Sequence, residues 1–328
     1  MLDTFLITLN PMLMMFLCIA IGFISYKTKI LPENSGKVMS KLVSWIFYPA
    51  LCFTTMARNF TLSTLKTHAV NLTIGIICVS LAISISLVFA RFFAKKGTEE
   101  HGVYIYALAF ANSGYMGDPI ISALFGEVAL SYYKLFTLPI SLAIYVWGVT
   151  VLIPRKEKSN FILRAMNPPT IAMLAGMLVG ITGIGSHFPV FINDTLDALK
   201  GCMGPMAMLV AGFTIAKYDM KSMVSNKKVY IATALRLIII PAAIISILYF
   251  SKELLGLILN ESISNLTMFL AFFAIATPLG LNTIVFPEAY GGNPKTGASM
   301  ALISHTLCVI TIPLLYMLMV EIFGPFTI

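Results

Sequence analysis

Asn112-Ser113-Gly114-Tyr115-Met116-Gly117-Asp118-Pro119 stands in the middle of an otherwise apolar run of the length that crosses a bilayer. Polar residues, two glycines and a proline in eight positions make a poor continuous helix, and hydrocarbon offers no water to satisfy the backbone groups that a break exposes. A second apolar run carries Thr277-Pro278-Leu279-Gly280-Leu281-Asn282-Thr283, with the same mixture. Both runs read as broken helices. Asp118-Pro119 and Thr277-Pro278 have the order of an N-cap followed by a first-turn proline, which predicts that each helix restarts there.

Outward from these two stretches the chain is apolar from end to end. Of 328 residues, 58% are apolar and 11% charged, with a mean hydropathy of +0.90. A soluble domain carries roughly a quarter charged residues, so the composition excludes one and predicts an all-α polytopic membrane protein. Ten spans are expected, at about 6–25, 38–57, 69–92, 102–125, 131–153, 168–184, 194–216, 228–250, 266–290 and 297–323. The first lacks a basic flank and a small-residue cleavage site and reads as a retained helix. The net charge of +8 is read by the side on which the cations lie, not as a sign of nucleic acid. The five cysteines, all in apolar stretches, read as reduced space-fillers, and no metal or cofactor is expected.

The cations sort onto alternate connections. Lys27, Lys29, Lys37, Lys41, the group from Arg91 to Lys96, the group from Arg155 to Arg164, the group from Lys217 to Lys228, and Lys295 fall on one side. Arg58, Lys66, Lys134 and Lys252 fall on the other, with Lys200 and Arg236 inside helices. Positive charge marks the cytoplasmic side, so both termini are expected outside and the basic connector Pro154 to Asn167 inside. That connector also reads as a seam. Asn10-Pro11 opening the first helix matches Asn167-Pro168 opening the sixth, Pro49 matches Pro205, and Pro139 matches Pro313. The two broken spans match likewise. Residues 1–153 and 168–328 are therefore expected to be two five-helix repeats, and an odd number of crossings makes the second inverted.

A broken helix presents free backbone N–H groups and a positive dipole end at its restart, which suits an anion. Two of them in repeat-related positions point to a substrate site at the membrane midplane. The candidate substrate-binding residues are Asn112, Ser113, Gly114 and Gly117 from the first break, and Pro278, Gly280, Asn282 and Thr283 from the second. Asp118, the one acid placed near mid-membrane, reads either as an N-cap or as a group that couples transport to a proton or cation. Arg236, eight residues beyond Lys228, is expected to snorkel to the cytoplasmic face, with an anionic ligand as its alternative. His305, beside Ser304, reads as a packed, hydrogen-bonded histidine.

These motifs, with Leu124-Phe125-Gly126-Glu127, Val285-Phe286-Pro287-Glu288-Ala289-Tyr290-Gly291-Gly292, Asn167-Pro168 and Arg236-Leu237 ahead of Pro241, resemble the auxin efflux carrier family. Its members include plant carriers and bacterial permeases for malonate, malate and similar acids. The resemblance runs over nearly the whole chain. It implies a scaffold of the first, second, sixth and seventh helices, often dimeric, against which a bundle of the other six moves like an elevator. It further implies that Asn112 helps to hold a substrate carboxylate and that Pro278 is the crossover proline of the ninth helix. The long central loop of many plant carriers is absent, the position of Asp118 departs from the family's apolar one, and the third helix lacks an acid.

The expected function is a secondary carrier for a small organic anion, a mono- or dicarboxylate, in the plasma membrane, with a homodimer as the expected assembly. A membrane receptor or sensor for an organic acid is the alternative. An aspartyl intramembrane protease built on Gly117-Asp118 and Tyr218-Asp219 is the rival from the enzyme class, disfavoured because Asp219 lies among Lys217, Lys221, Lys227 and Lys228.

Overall fold

The computed structural model describes residues 2–152, 166–258, 261–290 and 295–324. The predicted connector over 154–167 lies outside them, apart from Met166 and Asn167. In chain order the helices are α1 (Leu2–Lys27), α2 (Ser35–Asn59), α3 (Leu65–Phe89), α4 (Glu99–Ala109), α5 (Ser113–Leu152), α6 (Pro168–Thr182), α7 (Val190–Ile215) and α8 (Met220–Val224). Then come α9, which begins at Lys227 and runs through Ile240–Ile258, and α10 (Glu261–Ala276), α11 (Asn282–Tyr290) and α12 (Lys295–Phe323). Seven of the described helical stretches are long and apolar enough to cross a membrane, and Pro168–Thr182 and Ile263–Ala276 are shorter apolar helices. The chain is a polytopic helical membrane protein. Large apolar side chains such as Leu17, Trp45, Leu178 and Phe250 face outward, as a hydrocarbon surround requires.

Proline shapes the helices in a repeated way. Tyr48-Pro49, Asp118-Pro119 and Ile240-Pro241 each follow a π turn, at Val43–Phe47, Ser113–Gly117 and Leu235–Ile239. Proline has no N–H to give and its ring crowds the preceding turn. The residue before it therefore bonds five positions back, Tyr48 N to the Val43 carbonyl, Asp118 N to Ser113 and Ile240 N to Leu235. Pro11 does not open α1 as expected, because the helix already starts at Leu2 and carries the proline inside. Losing one backbone bond costs less than exposing a whole turn to lipid. Asn167-Pro168 does open α6, with Asn167 Oδ1 accepting from Thr170 N at 3.1 Å.

Within α5 the chain reverses at Gly126, whose φ of 79° and ψ of −176° suit glycine alone. The reversal is evident from chemistry further on. Asp118 and Lys134 lie 16 positions apart, about 24 Å along a straight helix at 1.5 Å per residue. Their side chains meet at 2.8 Å.

The helices pack as two groups. In one, α2 lies along α6 and α1 along α7. A Cβ at Gly22 would fall on the Leu209 carbonyl and one at Gly212 on that of Ile19, so reciprocal glycines let these backbones touch. In the other, α3 and α4 pack on α5, α5 on α10, and α9 on α10 and α12. Contact of α1 with α12 joins the groups.

Candidate functional site

The two breaks lie against each other. The helical path stops after Ala109 and resumes at Ser113, and it stops again after Ala276 and resumes at Asn282. Between these ends the backbones pair as an antiparallel bridge of Ala111 with Leu279. Asn112 N donates to the Pro278 carbonyl at 2.8 Å, and Gly280 N donates to the Phe110 carbonyl at 3.0 Å. Each broken helix thus satisfies part of the other's exposed backbone. Both restarts come later or earlier than the X-Pro order predicts. Asp118 already has helical φ and ψ inside the first resumed segment, and Thr277-Pro278 lies within the second break instead of capping its far side.

Arg236 holds the two ends that the breaks leave behind. Only 1% exposed, it donates through Nη2 to the carbonyls of Ile275 at 2.7 Å and Thr277 at 3.3 Å, and through Nη1 to that of Leu108 at 3.4 Å. It therefore does not snorkel outward, and its head group is held by carbonyls inside the protein. The π turn at Leu235–Ile239 and the crossing of α4 and α10 bring it to two helix C-termini, whose negative dipole ends favour a cation.

Beside the bridge lies a small cavity. Asn112, Ser113, Gly114, Gly280 and Asn282 line it, so five of the predicted binding residues share one wall. Tyr48, Tyr115, Ser141 and Tyr145 also line it, with the apolar Ala111, Ile144 and Leu281. The restarted helix points its first amides, those of Ser113, Gly114 and Tyr115, where no intrahelical acceptor exists.

The other candidates sit behind this wall. The N–H of Gly117 is bonded to the Asn112 carbonyl at 3.1 Å, and a Cβ there would collide with the Tyr133 hydroxyl. Thr283 turns its hydroxyl to the Gly280 carbonyl at 3.0 Å, and Pro278 contributes only the carbonyl that Asn112 N uses. Asn282 Nδ2 donates to the Tyr106 hydroxyl at 3.2 Å. His305 is a packed histidine with a specific partner. Its Nδ1 lies 2.9 Å from the Ala301 carbonyl, which can only accept, so the proton sits on Nδ1. Nε2 then accepts from Asn112 Nδ2 at 3.2 Å and fixes the plane of that amide.

Asp118 is not an N-cap. Its Oδ2 accepts from Lys134 Nζ at 2.8 Å, with the two side chains 0% and 3% exposed, and Lys134 Nζ also donates to the Tyr48 hydroxyl at 3.0 Å. Lys134, expected in an outer connection, is thus a buried cation on the second arm of α5. The sequence did hold a signal for it: in a chain that doubles back at Gly126, residues 118 and 134 are equidistant from the turn. Asp219, the second acid of the protease alternative, caps α8 by accepting from Ser222 N at 2.8 Å. Each carboxylate has its own partner, whereas an aspartyl pair must share a proton.

Two interrupted helices packed on each other beside a cavity, in a polytopic helical membrane protein, are an arrangement of the kind found in secondary transporters. The sequence model of the family described as "Membrane transport protein" matches residues 7–164 and 158–316. The chain belongs to this family, the auxin efflux carriers. It is similar to an uncharacterized transporter of Methanocaldococcus jannaschii, 24% identical over 314 residues that cover 94% of this chain and 98% of that one. An uncharacterized transporter of Methanothermobacter thermautotrophicus is 25% identical over 243 residues, 73% of this chain and 78% of its own. Its family is one of membrane transporters, which is not a class of enzymes.

Proposed function

We propose that the protein is a secondary carrier for a small organic anion, a mono- or dicarboxylate, that works by elevator-type alternating access. The observation that carries this reading is the cavity at the crossover, where free helix-start amides at Ser113 to Tyr115 meet the fixed amide of Asn112. Such donors recognise a carboxylate. Packing in two groups supports a bundle that slides on a scaffold of α1, α2, α6 and α7. In this reading residues 1–153 and 168–328 form inverted repeats, the scaffold forms a homodimer, and both termini lie outside the plasma membrane. The split of the family match at 158–164 falls at the seam between those halves. Asp118 is the coupling group: a proton taken up on its carboxylate would release Lys134 from its ion pair.

The test is uptake and counterflow of labelled malonate, malate, lactate and indole-3-acetate in proteoliposomes, with and without a proton gradient. Saturable flux that falls about 10- to 100-fold in Asn112→Ala, as expected for loss of a hydrogen bond to a charged group, supports the site. Asp118→Asn is expected to keep flux but lose its response to the gradient. Saturable binding of an acid without flux would replace the carrier by the receptor reading.

A further inference from the structure

Tyr48 was not among the residues that the sequence singled out. It opens the second half of α2, immediately after the π turn and before Pro49. The hydroxyl oxygen accepts from Lys134 Nζ at 3.0 Å, and the ammonium lies 4.4 Å from the centre of the ring. An ammonium has three protons and no lone pair, so the hydroxyl can only accept from it. The one proton of Tyr48 must therefore point elsewhere, and among the described residues no protein acceptor takes it.

The ring lines the cavity together with Asn112, Ser113 and Gly114. A Cβ built on Gly114 would come within 2.6 Å of the Tyr48 hydroxyl, so this oxygen rests directly against the first turn of the restarted helix. Glycine at 114 is what lets it sit there. The hydroxyl and the free amides of that turn thus meet on one wall, from the two packed groups of helices.

We propose that the Tyr48 hydroxyl is an anion donor of this cavity, polarised from behind by Lys134, and that it binds the carboxylate of the substrate. A hydroxyl that accepts from an ammonium gives up positive charge more readily at its own proton, as chained hydrogen bonds reinforce one another. The cation thereby acts on the ligand without leaving Asp118. Lys134 stays buried, and the cavity gains a donor stronger than a lone tyrosine.

The inference rests on the carboxylate reading above, and the test separates the two. Binding of malonate, malate and lactate is measured by calorimetry on the full chain in detergent, alongside dimethyl malonate as an uncharged counterpart. Tyr48→Phe keeps the ring and the Asp118–Lys134 pair, and is expected to weaken the acid that binds by about tenfold or more while leaving the ester unchanged. In Asp118→Asn with Lys134→Gln, acid affinity is expected to fall as well, and adding Tyr48→Phe to that background should cost much less than it costs alone.

Equal acid affinity in the native chain and Tyr48→Phe overturns the inference while the carrier reading stands. An equal loss for acid and ester overturns it too, because the effect would then be one of shape. Additive losses in the triple variant overturn the role of Lys134. Failure of the native chain to bind any of the three acids overturns the carboxylate reading and this donor with it.

Discussion

The two breaks look alike in sequence and differ in what surrounds them. The first, between Ala109 and Ser113, is followed by a π turn, brings to the cavity three residues whose amides have no intrahelical acceptor, and has the Asp118–Lys134–Tyr48 chain beside it. The second, between Ala276 and Asn282, returns the Pro278 carbonyl and Gly280 N–H to the same bridge and ties the Thr283 hydroxyl to Gly280, while Gly280 and Asn282 line the cavity from its side. In the carrier reading the first break is expected to supply more of the ligand's donors, with the second as its template. Charge follows the same division. Among the described residues, the charge held at the second break is the guanidinium of Arg236, which is shared with the end of α4.

The largest expected effect comes from removing what the breaks share. Arg236→Met leaves the carbonyls of Leu108, Ile275 and Thr277 without their donor inside the protein, at about 1–3 kcal/mol each before relaxation. A large drop in apparent melting temperature in detergent is expected, and an unchanged one would show that the two ends are held by other means. Next is Lys134→Met, which strands the Asp118 carboxylate and is expected to destabilise by about 3–5 kcal/mol. Asp118→Asn with Lys134→Met should recover most of that loss. If it does not, the ammonium matters chiefly through Tyr48.

Glycine substitutions sharpen the contrast between the breaks. Gly114→Ala puts a Cβ 2.6 Å from the Tyr48 hydroxyl, whereas at Gly280 the nearest atom is the Ala111 carbonyl oxygen at 3.3 Å. Gly114→Ala is expected to lower flux at least tenfold at a melting temperature near the native one, and Gly280→Ala to change flux by less than about threefold. Equal losses would erase the division between ligand-facing and template breaks. The smallest effect is expected from His305→Ala. It frees the Asn112 amide to rotate and costs about 0.5–1.5 kcal/mol of binding, a rise in KM of roughly two- to tenfold. His305→Gln, which retains an acceptor, should lose less.

That the chain is a polytopic helical membrane protein, and that two of its helices are interrupted, was legible because lipid punishes any departure from long apolar helices, so departures stand out. Their detailed positions were not. Asp118-Pro119 has the order of a cap and a first-turn proline, yet proline is equally served by a π turn, and the chain uses that solution three times. Charge sorting misplaced Lys134 because a lysine near a span end reads as an outer cation until the reversal at Gly126 is seen to carry it back to Asp118. Arg236 was read from its distance to Lys228 along one helix, but its partners lie on two others.

By itself, the sequence determined that this chain lives in a membrane, that two of its helices are interrupted, and that Asn112, Gly114 and Asn282 stand at the interruptions. Those properties follow from local constraints, hydrocarbon thickness and backbone hydrogen bonding, that act on each span separately. Only the tertiary structure decided which polar groups meet. Tyr48 with Lys134, Asn112 with His305, and Arg236 with both broken ends join residues from 86 to 193 and from 39 to 128 positions apart. A buried charge or amide is stabilised by whichever partner the packing brings within about 3 Å, and no local pattern records that choice.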